Sequence, residues 1–166
     1  MLSQHIDFKI GFGFDVHQLK EGRVFILGGI KVPHNKGAIG HSDADVLIHA
    51  ICDSILGALN LGDIGTHFPD NSKEYKGIDS KILLKRVIEI MHAQKYEIGN
   101  IDTTICLQKP KINTYTSQMK EILAKCMMIK RNQISIKATT TESLGFVGNE
   151  KGVSAYAIVL LRKKTL

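Results

Sequence analysis

The apolar residues of this chain change their spacing several times from one end to the other, and that alternation limits the folds open to it. Leu47, Ile48, Ile51, Ile55, Leu56 and Leu59 recur at helical steps, the stripe of an amphipathic helix. Ile101, Thr103, Ile105 and Leu107 recur at every second position, the mark of a strand with one face turned to a core. Each stripe needs an apolar cover, so strands and helices must pack against one another in layers.

Phe8 to Val16 reads as a strand, and Val24–Leu27, Gly28-Gly29 and Ile30–Val32 read as a hairpin with a glycine turn. Pro33 to Gly40 reads as a loop. Ser42 is expected to open the first helix as N-cap, with Asp45 three residues later in a capping-box-like position, and Gly62 to close it. Asp63 to Lys76 is irregular. Asp79 or Ser80 caps a second helix with Ile82, Leu83, Val87, Ile90 and Met91 on its core face. The 101–107 strand ends at Gln108-Lys109-Pro110, and a third helix buries Met119, Ile122, Leu123, Cys126 and Met127. Ile134–Thr139 and Val153–Leu161 supply the last strands. This order predicts an α/β (α+β) two-layer sandwich, a mixed β-sheet with helices packed on one face. The 166 residues show no repeat, linker or low-complexity stretch, so one domain over 1–166 is expected, with 1–7 as an extra N-terminal head.

Composition excludes some partners. No apolar run approaches the ~20 residues of a membrane helix, and the head is too short and polar for a signal peptide. Lys and Arg number 22 against 16 Asp and Glu, a formal charge of +6 that suits phosphate-bearing ligands. The lysines are scattered, Trp is absent and aromatics are 6%, so platforms for stacking bases are few and no nucleic-acid partner is expected. Cys52, Cys106 and Cys126 form no Cys-x-x-Cys pair; an odd, widely spaced set suits a reducing compartment.

Residues 11–17 read Gly-Phe-Gly-Phe-Asp-Val-His, and 40–50 read Gly-His-Ser-Asp-Ala-Asp-Val-Leu-Ile-His-Ala. Asp15 and His17 stand at i and i+2, on one face of a strand, and His49 stands on the first helix. Zinc accepts His nitrogen and Asp oxygen, and three protein ligands leave one position open for substrate. Gly11 and Gly13 do not open a dinucleotide fingerprint, because position 16 is Val and no helix follows; they let the strand pass close to a neighbour. Asp53, one turn beyond His49, is the expected partner that orients its ring. In Ala138-Thr-Thr-Thr-Glu142-Ser-Leu-Gly145-Phe146, three hydroxyls, loop amides and a carboxylate suit a phosphate with its Mg²⁺ counter-ion.

Taken in order, residues 13–17, 40–46, 61–65 (Leu-Gly-Asp-Ile-Gly), 68–70 (Phe-Pro-Asp), 76–80 (Lys-Gly-Ile-Asp-Ser) and 138–146 resemble the 2-C-methyl-D-erythritol 2,4-cyclodiphosphate synthase family over about residues 9 to 161. The resemblance implies a lyase of non-mevalonate isoprenoid precursor synthesis. It would cyclise 4-diphosphocytidyl-2-C-methyl-D-erythritol 2-phosphate with release of CMP. It implies zinc on Asp15, His17 and His49, one per subunit, and Mg²⁺ or Mn²⁺ on Glu142. His41 and Ser42 would align the phosphate near zinc, and Thr140 the phosphate under attack, with Ala138, Thr139, Thr141 and Phe146 lining the phosphate segment. Asp63, Ile64, Gly65, Phe68, Pro69 and Asp70 would hold the methylerythritol portion. Leu107, Gln108, Lys109, Pro110, Lys111, Ile112 and Asn113 would form the cytidine pocket, although Lys109 is larger than the usual residue there. The family is a homotrimer with active sites between subunits, the zinc half and the cytidine half coming from different chains. The head and the Lys- and Asn-rich composition imply a plastid protein after transit-peptide removal, with a bacterial cytoplasmic protein as the alternative. Two other classes fit the residues alone: a zinc-dependent phosphodiesterase using metal-activated water, and a basic, non-catalytic binding module.

Overall fold

The computed structural model describes residues 8–164; the head, residues 1–7, lies outside the described residues. In chain order the elements are β1 (Phe8–Glu21), β2 (Phe25–Leu27), β3 (Ile30–Val32), β4 (Lys36–Ile39), α1 (Val46–Ala58), α2 (Ile64–His67), α3 (Ser80–Ala93), β5 (Tyr96–Cys106), α4 (Thr116–Met127), β6 (Ile134–Thr139), α5 (Gly145–Gly148) and β7 (Gly152–Lys163). A five-stranded sheet runs β4-β1-β7-β5-β6, and β2 with β3 forms a separate hairpin. Only β5 and β6 pair in parallel; the other neighbours are antiparallel. The sheet is therefore mixed, as expected, and α1, α3 and α4 cover one of its faces.

The helical stripe read in the sequence is the centre of the core. Leu47, Ile48, Ile51, Ile55 and Leu56 of α1 are fully buried against Ala155, Ala157 and Val159 of β7 and their neighbours. Each such side chain contributes ~1.5–3 kcal/mol of burial. Alanines on the β7 face let this helix lie close to the sheet. The hairpin glycines, Gly28 (φ +60) and Gly29 (φ +78), turn the chain as the sequence predicts.

Several boundaries differ from expectation. β1 runs on to Glu21, because its far end finds a partner in β4, which lies inside the segment expected to be a loop. The N-cap of α1 is Asp45, not Ser42: its carboxylate accepts Ile48 N–H at 3.1 Å. That carboxylate also takes the amides of Gly28 (2.9 Å) and Gly29 (2.6 Å), so one buried side chain caps the helix and ties down the hairpin. On α3, capped by Asp79, Ile82 is 44% exposed, and Leu84 and Ile88 take core positions with Leu83, Val87 and Met91.

Among the described residues, no helix lies on the other sheet face. Phe8, Ile10, Phe12, Phe14 and Val16 alternate outward along β1, beside Tyr156 and Ile158 of β7. Ile10 is 73% exposed and Phe12 61%, far more than an isolated chain gains from showing. No helix among the described residues is long and apolar enough to cross a membrane.

Candidate metal centre and substrate clefts

The pleat of β1 that turns Phe12 and Phe14 outward turns Gly11, Gly13, Asp15 and His17 toward α1. At Gly11 and Gly13 the two backbones nearly touch: a Cβ at Gly11 would lie 1.8 Å from Ser54 O, and one at Gly13 1.9 Å from Ala50 O. This explains the paired glycines, as the sequence suggests. Helix and strand run past each other there, so His49, just before Ala50, arrives over Asp15 and His17.

Asp15 Oδ2 lies 3.0 Å from His17 Nε2 and 3.0 Å from His49 Nδ1, and the two ring nitrogens are 3.1 Å apart. Donors at ~2.0–2.1 Å around a tetrahedral ion sit about 3.3 Å from one another. The triangle has that size and chemistry. It is also the one grouping of three potential metal-binding His, Cys, Asp or Glu side chains among the described residues. Burial pushes the Asp15 carboxyl up, but hydrogen bonds from His17 and His49 outweigh it and bring the pKa down to about 2. Burial pushes His49 down, and the Asp15 hydrogen bond with the charges of Asp15, Asp45 and Asp43 lifts it above its ordinary value.

The triad opens on a cavity of about 390 Å³ that gathers His41, Ser42, Ile64, Gly65, Phe68, Pro69 and Asp70, all expected at the site. Tyr75, Ile78 and Leu83 also line it and were not expected. Asp63 stays outside; it caps α2, accepting Thr66 N–H at 2.8 Å and the Thr66 hydroxyl at 2.9 Å. These bonds hold its pKa below the ordinary carboxylate value. Asp53 does not orient His49. Its carboxylate accepts Ile64 N–H at 2.8 Å, anchoring α2, while the His49 ring meets Ser42 and Ser80. The i, i+4 spacing brought Asp53 near the ring, but the ring points toward the loops that precede α1 and α3.

A second cavity of about 230 Å³ gathers Leu107, Gln108, Pro110, Lys111, Ile112 and Asn113 with Ala138, Thr139 and Thr140. Gln108 Oε1 is buried with no hydrogen-bond partner, an acceptor left free. Lys109 does not line this cavity; its ammonium lies 3.2 Å from Glu150 Oε1. Thr140 donates to Glu142 Oε1 at 2.9 Å, and Thr141 donates to Leu144 O at 2.7 Å, shaping the turn. Phe146 is exposed, its ring close over Gly152. The two cavities share no lining residue. Asp15, Ala155, Ile105 and Ala138 are register partners in one row across the sheet. Three strand spacings of ~4.8 Å put Asp15 and Ala138 about 14 Å apart.

A mixed-sheet sandwich with an Asp-His-His triad at the mouth of a cleft defines a chain fitted to hold a divalent metal against an anionic ligand. A model of the YgbB family matches residues 8–162, and the chain belongs to that family. It is 61% identical over 155 residues to the 2-C-methyl-D-erythritol 2,4-cyclodiphosphate synthase of Bacteroides fragilis, covering 93% of this chain and 98% of that one. Among solved structures, the bifunctional IspDF from Campylobacter jejuni superposes with a TM-score of 0.92 at 37% identity; the match covers 95% of this chain and 43% of that one. The IspF of Plasmodium falciparum in complex with CDP superposes with a TM-score of 0.84 at 37% identity, covering 95% and 97%. The plastid expectation is overturned: relatives at 55–61% identity come from Bacteroides and Geobacillus, which are bacteria.

Proposed function

We propose that this chain cyclises 4-diphosphocytidyl-2-C-methyl-D-erythritol 2-phosphate to 2-C-methyl-D-erythritol 2,4-cyclodiphosphate with release of CMP, as a lyase of isoprenoid precursor synthesis. The observation that carries this is the Asp15–His17–His49 triangle opening on a cleft, in a chain so close to cyclodiphosphate synthases.

An oxygen of the substrate's 2-phosphate attacks the β-phosphorus, and the bond from that phosphorus to the CMP oxygen breaks, CMP leaving with the electron pair. The attacker is already anionic near neutral pH, so no protein base is needed. Positioning and charge stabilisation remain. Asp15, His17 and His49 would hold zinc, which when bound would offset the charge of a phosphate oxygen. One carboxylate and two neutral imidazoles would leave such an ion formally +1, suited to an anion. His41 and Ser42, on the same cavity wall, align the phosphate. Ile64, Gly65, Phe68, Pro69 and Asp70 enclose the methylerythritol portion, with Asp63 at the rim. Lys111 and the 107–113 loop receive cytidine, Thr139 and Thr140 hold phosphate, and Glu142, with the Thr140 hydroxyl beside it, would take Mg²⁺ or Mn²⁺.

The chain works as one domain in a homotrimer. Support comes from the single buried core, the uncovered aromatic sheet face, and two clefts that share no lining residue within one chain. In a closed ring the metal cleft of one subunit faces the cytidine cleft of the next. Product analysis by phosphorus NMR tests the reaction: with cytidylated substrate and Mg²⁺, the cyclic diphosphate is expected with one CMP per turnover. A linear, hydrolysed product would place the chain with phosphodiesterases instead.

A further inference from the structure

His49 has two ring nitrogens, and only one points into the triangle. Nδ1 lies 3.0 Å from Asp15 Oδ2 and 3.1 Å from His17 Nε2, while Nε2 lies 3.0 Å from Ser80 Oγ and 3.1 Å from Ser42 Oγ on the opposite side. The hydrogen-bond partners of Ser80 decide which nitrogen carries the proton. Its hydroxyl donates to Asp43 Oδ1, and its backbone N–H donates to Asp43 Oδ2 at 3.0 Å. An ionised carboxylate only accepts, and a hydroxyl has one proton to give. With that proton committed to Asp43, Ser80 Oγ meets His49 Nε2 as an acceptor, so Nε2 must be the donor. A neutral imidazole protonated on Nε2 has its free lone pair on Nδ1.

We propose that Asp43 and Ser80 are positioning residues for the metal centre, holding His49 in the Nε2–H tautomer so that Nδ1 faces the ion. Neither touches the ion; Asp43 acts through Ser80, and Ser80 through the ring. The relay rests on the metal reading of Asp15, His17 and His49. Ser80 is fully buried, so water does not compete for the hydroxyl. Ser42 Oγ stands beside the same nitrogen, accepts Ala44 N–H at 3.2 Å and lies 3.5 Å from Ser80 Oγ, to which it donates because the Ser80 proton is committed to Asp43. The loops that carry the relay are joined independently by backbone bonds, Asp43 N–H to Ile78 O at 3.1 Å and Gly77 N–H to His41 O at 2.8 Å. The Asp79 cap of α3 is likewise separate. Removing the hydroxyl therefore leaves the loops in place.

The test measures zinc affinity of metal-stripped protein by competition with a chromophoric chelator, for wild type, Ser80→Ala, Asp43→Asn and Ser80→Thr. Loss of a hydrogen-bond partner behind a metal-bound histidine weakens metal binding about 10- to 100-fold. That loss is expected for Ser80→Ala and Asp43→Asn, whereas Ser80→Thr, which keeps the hydroxyl, should stay close to wild type. Nitrogen-15 spectra of the zinc-loaded wild type should place the histidine proton on Nε2 of His49. Metal-stripped variants should unfold at the wild-type denaturant midpoint; a matching loss of stability would reduce the effect to general loosening and overturn the proposal. If Ser80→Ala fails to fold, Asp43→Asn decides. Zinc affinities within about twofold of wild type in both variants, or a proton on Nδ1, overturn the relay. A wild-type protein that binds no zinc would instead overturn the metal reading itself.

Discussion

Gly13→Ala tests whether the close approach of strand and helix sets the metal geometry. An added Cβ would sit 1.9 Å from Ala50 O, against ~3.2 Å for an ordinary carbon–oxygen contact, so about 1.3 Å must be found. The backbone fixes where the Cβ sits and Ala50 O belongs to backbone, so no rotamer change relieves the clash. Either β1 bends outward or α1 lifts, at a cost of about 1–3 kcal/mol or more for overpacking. In a chain of this size that lowers Tm by several degrees, at ~2–4 °C per kcal/mol. His49 precedes Ala50, so the shift reaches the triangle directly. Metal bonds tolerate about ±0.2 Å, so a displacement near 1 Å removes His49 as a ligand. The expected result is a lower Tm in the metal-stripped protein and a zinc affinity reduced by at least 100-fold. A Gly13→Ala protein with wild-type zinc affinity would refute the claim that this contact fixes the distance between His49 and Asp15.

Glu142→Gln should keep zinc but need much more Mg²⁺ or Mn²⁺, because an amide lacks the charge a hard cation prefers; a divalent-ion titration of turnover reads this, and an unchanged curve removes Glu142 as the ligand. In metal-free protein, the Asp15 carboxyl, lowered from 3.8 to about 2, contributes about 2 kcal/mol above pH ~4, lost as pH falls through about 2. His49, raised above 6.5, contributes below that pH and loses its contribution as pH climbs past its folded-state value. Urea unfolding of the metal-free protein should therefore show these groups' stabilisation greater near pH 5.5 than near pH 8, whereas zinc affinity should rise over the same range because the ligands must be neutral imidazoles. Mixing His49→Ala with Lys111→Glu subunits, each inactive alone, should restore roughly a quarter of all sites after random reassembly of trimers; proven subunit exchange without recovery would place the whole site within one chain.

The parts of the fold that the sequence made legible are those whose signal is local and repeated. The α1 stripe, the alternation of β5 and the Gly28-Gly29 turn each carry a period or a conformational demand within a few residues. β4 escaped notice because Lys-Gly-Ala-Ile has no alternation to read, and it becomes a strand only because the end of β1 offers it an edge. Ser42 and Asp45 are both competent caps by residue type, so type alone does not place the N-cap. Asp45 prevails through the two hairpin amides, a tertiary bond invisible to spacing. The triad was legible because Asp15 and His17 share a strand face and the surrounding motifs are distinctive. Ser80, some thirty residues from His49, was not, because nothing local links the two until the loops meet. Asp53 shows the opposite error, neighbourhood on a helix mistaken for contact.

The central claim is that Asp15, His17 and His49 form one metal centre on which cyclisation depends. Its most direct test is the zinc content and cyclisation rate of the same samples, as stripped protein is reloaded stepwise. The rate should rise in proportion to zinc and level off at one ion per subunit, with His17→Ala and His49→Ala retaining neither zinc nor turnover. Full cyclisation in samples nearly free of divalent transition metal, or zinc held at full stoichiometry in both variants, would contradict it.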